Sequence, residues 1–89
     1  MIHRDVPIVN KLGLHARAAA KFVTLASNFA AQIQVRKGER TINGKSIMGV
    51  MMLAAAKGST ITLIADGNDA EEAIERLAQL VAERFGESE

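Results

Sequence analysis

GLHARAAAKFVTLASNFA, residues 13–30, is the stretch on which the fold turns. Apolar Ala19, Phe22, Val23, Ala26, Phe29 and Ala30 recur at three- and four-residue spacing, which predicts an amphipathic helix over 16–30. Gly13 just upstream permits a sharp backbone turn into it. His15 and Arg17 therefore stand at a helix start. Unpaired N–H groups and the positive end of the helix dipole make such a start a site for anions. A histidine nucleophile beside an arginine points to a phosphoryl group carried on the ring.

Working outward, residues 4–9 read as a strand through Val6 and Ile8, and Pro7 within it predicts a sheet edge because proline cannot donate to the ladder. Gln32 to Lys37 alternates through Ile33 and Val35, Lys37-Gly38 turns the chain, and Glu39–Ile42 reads as the next strand. After the Asn43-Gly44 turn, Ser46 is placed to cap the apolar helical segment Ile47–Leu53, with Lys57-Gly58 as its stop. Thr60–Ala65 is a β-branched strand. Asp69 opens the last helix in a D-x-x-E capping pattern with Glu72. Ala73, Ile74, Leu77, Val81 and Phe85 form its core stripe, and Gly86 is the expected stop. The order is β-α-β-β-α-β-α, an α+β two-layer sandwich with the helices on one face of the sheet.

The 89 residues make one domain, 1–89, large enough for a core without staples. With no Cys, disulfides and thiol-based metal sites are excluded. No metal site or cofactor is expected. The N-terminal residues lack the apolar stretch of a signal peptide, and the longest apolar-rich run, 47–56, is too short to span a bilayer. The expectation is a cytoplasmic monomer without membrane insertion.

Charge is lopsided. Residues 1–65 hold nine Lys/Arg against Asp5 and Glu39, a balance of +7, whereas residues 66–89 balance at −6. A basic front steers acidic partners or phosphate. Nucleic acid is the rival ligand, but Trp and Tyr are absent and the three Phe lie on apolar helix faces, which leaves no base-stacking platform.

Histidine attacks phosphorus as the neutral ring, and an ordinary imidazole with a pKa of ~6.5 is mostly neutral near pH 7. Arg17 and the helix N-terminus both disfavour the imidazolium. After transfer, the N–H groups of Ala16 and Arg17 are placed to bind phosphate oxygens, and the Arg17 side chain to pair with them. A plain helix cap or a solvent-facing side chain is the alternative for His15. His3 reads as surface.

The run Gly13-Leu14-His15-Ala16-Arg17, followed by Ala19-Ala20, resembles the active-site motif of HPr, the histidine-containing phosphocarrier family of the bacterial phosphoenolpyruvate:sugar phosphotransferase system. Lys45–Leu53, the Lys57-Gly58 pair and the closing helix also match that family's layout. The resemblance implies an open-faced β-sandwich with four antiparallel strands and three helices on one side. It implies that His15 accepts phosphate from phosphorylated enzyme I through Nδ1 and passes it to a histidine of an enzyme IIA domain. The chain would thus be a stoichiometric carrier and not an enzyme. Ser46 matches the serine that HPr kinase/phosphorylase modifies in some bacteria. Ala18 departs from the family's usual proline, which bears on the branch served: a nitrogen-related or other regulatory HPr-like protein is the alternative to sugar uptake.

Read from the residues alone, Ser46 needs no role beyond helix capping. A phosphate there would suit a helix start and would repel an acidic partner. The segment after it is apolar nearly all round, so part of it faces outward. Ile47, Met48 and Met51, with Lys21 and Lys45 on a basic rim, are the expected docking contacts.

Overall fold

The computed structural model describes residues 1–89. Strands β1 (Ile2–Pro7), β2 (Gln32–Lys37), β3 (Arg40–Asn43) and β4 (Thr60–Asp66) alternate with helices α1 (Ala16–Ala26), α2 (Ile47–Met52) and α3 (Ala70–Ala82), and a short 3-10 turn spans Arg84–Gly86. The sheet runs β1-β4-β2-β3 with every neighbouring pair antiparallel. Each helical crossover therefore joins two co-directional strands with a third inserted between them: α1 links β1 to β2 around β4, and α2 links β3 to β4 around β2. β1 is an edge strand, which accommodates Pro7 opposite Thr60.

Period-two alternation sets the faces. Val6 lies opposite Ile61, Val35 opposite Leu63 and Ile33 opposite Ala65, and all six are buried against the helices. Phe22 and Ala26 of α1 and Ile74, Leu77 and Val81 of α3 complete the core. No helix is long and apolar enough to cross a membrane.

Several element ends differ from the sequence expectation, β3 among them, which runs Arg40–Asn43 and not Glu39–Ile42. β1 begins at Ile2 and closes at Pro7; beyond it Ile8 still pairs, donating to the Ser59 carbonyl at 2.8 Å. α1 stops at Ala26 instead of residue 30. Phe29 is still buried, but Ala30 is exposed, and the amides of Ala30 and Ala31 donate to the Asp69 carboxylate at 2.8 Å each. Asp69 occupies the cap position of α3 without making a side-chain cap bond, so the D-x-x-E pattern is not used as a capping box.

Ser46 does cap α2, its Oγ accepting from the Gly49 amide at 3.1 Å. α2 then ends at Met52, ahead of Lys57-Gly58, because Ala54 takes a left-handed φ of 50° and Lys37 and Arg40 donate to the carbonyls of Leu53 and Met52. α3 ends at Ala82. Arg84, Phe85 and Gly86, at φ 60°, 54° and 78°, then reverse the chain. Left-handed backbone costs about 1–2 kcal/mol per non-glycine residue. Complete burial of Phe85 offsets this, since such a ring contributes roughly 3–5 kcal/mol. The reversal carries Glu87–Glu89 back across the loop before α1, where the Lys11 amide donates to the Glu89 carbonyl at 2.7 Å.

Candidate functional site

The loop before α1 is pinned by close backbone contact. Gly13 has φ 67°, and a Cβ there would lie 2.4 Å from the Ala55 carbonyl oxygen. Leu14, buried, donates its amide to that same oxygen at 3.0 Å. Loop and α2 exit are thus locked together. His15 follows as the cap residue of α1 in extended conformation (φ −73°, ψ 177°), with no side-chain cap bond, so its ring is free for other contacts. The first helical bond closes from Ala19 N–H to the His15 carbonyl at 2.8 Å. That leaves the amides of Ala16, Arg17 and Ala18 without backbone acceptors. Ala18 is fully buried and keeps an N–H that proline lacks. The Arg17 side chain is exposed and makes no hydrogen bond or ion pair within the chain.

The ring of His15 meets a residue the motif does not contain. Its Nε2 pairs with Oε2 of Glu87, the two side chains being 27% and 13% exposed. The other oxygen, Oε1, accepts from Asn10 Nδ2 at 2.9 Å, and the same Nδ2 donates to the Gly13 carbonyl at 2.9 Å. Asn10 is entirely buried and its Oδ1 has no hydrogen-bond partner. With two acceptors facing Nδ2, the amide cannot be turned over. The Asn10 bond, and then the His15 bond and the charges of His15 and Arg17, hold the Glu87 carboxyl below its usual range against the opposing effect of burial.

The remaining expected site residues fall on neighbouring elements. Lys21 Nζ donates to the Phe85 carbonyl at 2.7 Å and Lys45 Nζ to the Phe29 carbonyl at 2.7 Å. Both ammonium groups therefore have structural partners within the chain. Ile47, Met48 and Met51 are exposed at 43%, 73% and 40% on α2, which packs beside α1 and buries only Val50 among its own residues. Met52 and Leu12, not expected from the pattern, are exposed as well. Ser46 is half-buried.

Residues 2–83 match the family model described as PTS HPr component phosphorylation site. The chain belongs to the HPr family. It is 56% identical over 89 residues to the phosphocarrier protein HPr of Cupriavidus necator, covering all of both chains. It is 45% identical over 87 residues to the phosphocarrier protein NPr of Shewanella violacea, covering 98% of this chain and 96% of that one. Among solved structures, HPr from Thermoanaerobacter tengcongensis superposes with a TM-score of 0.96 at 47% identity, over 100% of both chains. The HPr fold, with four antiparallel strands and three helices, is the one described above.

Asn10 and Glu87, which complete the hydrogen-bonded chain to the His15 ring, were not legible in the sequence. Asn10 precedes the motif as an unremarked loop residue. Glu87 lies in a short acidic tail whose pattern indicates only net charge.

Proposed function

We propose that His15 is a phosphoryl acceptor, loaded from phosphorylated enzyme I and unloaded onto a histidine of an enzyme IIA domain, with the chain acting as a monomeric stoichiometric carrier. One observation carries this reading: the imidazole sits at the cap of α1, two residues before the exposed and unpaired Arg17, among amides with no backbone acceptor. Those donors suit the oxygens of a phosphoryl group placed on Nδ1, the ring nitrogen opposite the Glu87 contact. Exposed Ile47, Met48 and Met51 offer an adaptable apolar platform beside it for more than one partner.

Incubation with phosphoenolpyruvate and enzyme I, followed by intact mass, tests the reading. One acid-labile phosphate that disappears in His15→Ala supports it, and failure of the wild type to gain phosphate overturns it.

A second reading, regulation by phosphorylation state instead of sugar uptake, is supported by the likeness to a relative named NPr. Acceptor assays with sugar-specific and nitrogen-branch enzyme IIA domains separate the two. Ser46 is read as a target of HPr kinase/phosphorylase, since added charge there would fall on the α2 docking face.

A further inference from the structure

We propose that the cavity between the exit of β1, the turn before β4 and the exit of α3 is a second anion site, which takes the phosphate monoester of a small hydroxylated molecule on Lys11, Lys57 and Arg84. Its volume is about 420 Å³, and Val9, Ser88 and Glu89 line it with the three cations. No residue from the start of α1 lines it. The carrier reading above neither requires this site nor accounts for it.

The cations come from segments that the backbone ties together. Ile8 donates to the Ser59 carbonyl and accepts from the Gly58 amide, each at 2.8 Å, which fixes the exit of β1 to the turn that carries Lys57. Ser59 closes that turn, its amide and its hydroxyl both donating to the Ala56 carbonyl at 3.0 and 2.5 Å. Lys11 is held by its amide on the Glu89 carbonyl at 2.7 Å. Arg84 follows α3 in a left-handed conformation, φ 60°, fixed by the burial of Phe85 beside it. A ligand entering here would find the backbone already ordered, which removes one cost of binding.

Charge in the cavity is unbalanced. Three cations meet one side-chain carboxylate, Glu89, an excess of two positive charges. Glu89 takes Lys11 at 3.2 Å in an exposed pair, a kind of contact that contributes little. Arg84 gives one long bond, 3.4 Å to the Ser88 carbonyl, and leaves four of its five donors unused. Lys57 is exposed and has no acceptor or ion-pair partner in the chain.

A phosphate monoester carries about −1.5 to −2 charges at pH 7, which matches that excess. The Arg84 fork suits two of its oxygens, and the two ammonium groups act as point charges on the remainder. The cavity falls in the size range of small-molecule sites, roughly 300–1,000 Å³, so it has room for more than the phosphate. Half-buried Val9 is its one apolar lining residue and no aromatic ring borders it. The rest of the ligand is therefore hydroxylated, since a base or other flat ring would have nothing to stack on.

The test titrates the nitrogen-15 labelled full chain with glucose 6-phosphate, and separately with glucose and with inorganic phosphate. Glucose 6-phosphate should shift the amides of Lys57, Gly58 and Arg84 saturably, with a Kd of about 1 mM or below. Inorganic phosphate should bind the same amides more weakly, and glucose should shift none of them. Lys57→Gln and Arg84→Gln should each weaken binding about tenfold or more, whereas Lys57→Arg, which keeps the charge, should stay within about threefold. Both positions are exposed, and circular dichroism checks that the variants fold. Absence of a saturable shift at these amides would overturn the proposal, as would undiminished binding in both glutamine variants. Shifts confined to Ala16–Ala18, or abolished by Arg17→Gln, would place the anion at the start of α1 and overturn it as well. Equal affinity for inorganic phosphate and glucose 6-phosphate would overturn the monoester assignment.

Discussion

The carboxylate of Asp69 is bound to the backbone amide of Ala31, 38 residues away, at 2.8 Å, with its other oxygen on the Ala30 amide at 2.8 Å. One side chain at the start of α3 thereby fixes the segment that leads from α1 into β2. The Ala30 bond, with those of Ala31 and of Asp69's own amide and the charge of Lys45, lowers the Asp69 pKa from 3.8 against an opposing desolvation effect.

Asp69→Asn should therefore lower Tm. Its amide nitrogen would face an N–H group, one of the two acceptors would be lost, and Ala31 is fully buried. Scanning calorimetry of the variant against the wild type measures it; an equal Tm would show that the clamp contributes nothing.

Acid should destabilise the fold through the same physics. Asp69 and Glu87 both have folded-state pKa values below their ordinary 3.8 and 4.5. A depressed carboxyl contributes stability that is fully present above the unfolded value and is lost as pH falls through the folded one. Tm should hold above the usual carboxylate range and begin to fall below about pH 4.5, the unfolded value of Glu87. In Glu87→Gln the acid limb should be shallower, since one contributing group is gone. An unchanged limb in that variant would remove Glu87 from the linkage.

Gly13→Ala should damage both the fold and the site. The backbone there is left-handed, and the new methyl would meet the Ala55 carbonyl at 2.4 Å, a backbone atom that cannot swing aside. Left-handed backbone alone costs about 1–2 kcal/mol, and displacement of the loop adds to it, so a loss of roughly 3 kcal/mol or more is expected in urea unfolding. Because Leu14 donates to the same oxygen, His15 should shift with the loop and phosphate loading should fall.

Ala54→Gly points the other way. Ala54 is exposed and left-handed at φ 50°, at the turn that ends α2. Glycine relieves about 1–2 kcal/mol of strain and gives back roughly 0.5–1 kcal/mol in chain entropy. A gain of up to about 1.5 kcal/mol in urea unfolding is expected, and a loss would mean that the Ala54 methyl packs favourably.

What the sequence made legible was set by the range of the forces involved. The inward face of the sheet could be read from Ile33, Val35, Ile61 and Leu63 because alternation is local and each residue declares its own side. The Ser46 cap was legible because its acceptor and donor are three residues apart. Asp69 was not: a D-x-x-E pattern looks the same whether the acid serves its own helix or a loop that tertiary packing brings to it. Glu87 was still less so. It meets His15 across 72 residues, through a chain reversal in which only Gly86 signals left-handed backbone and Arg84 and Phe85 do not. Burial of the Phe85 ring settles that turn, and burial is a property of the assembled core.

The α2 surface gives the sharpest separation of docking from folding. Met48 is 73% exposed, so Met48→Lys leaves the core intact and its Tm should lie within a few degrees of the wild type. If α2 is where partners dock, the same substitution should raise KM for enzyme I-dependent loading and leave the maximal rate nearly unchanged, because no reacting group is touched. Ser46→Asp should act similarly by placing a negative charge at the head of the same helix while the shorter acid can still accept from the Gly49 amide. Steady-state loading kinetics of the two variants decide the point. Equal KM values in both would remove α2 from the docking face, and a fall in the maximal rate without a change in KM would place its effect at His15 instead.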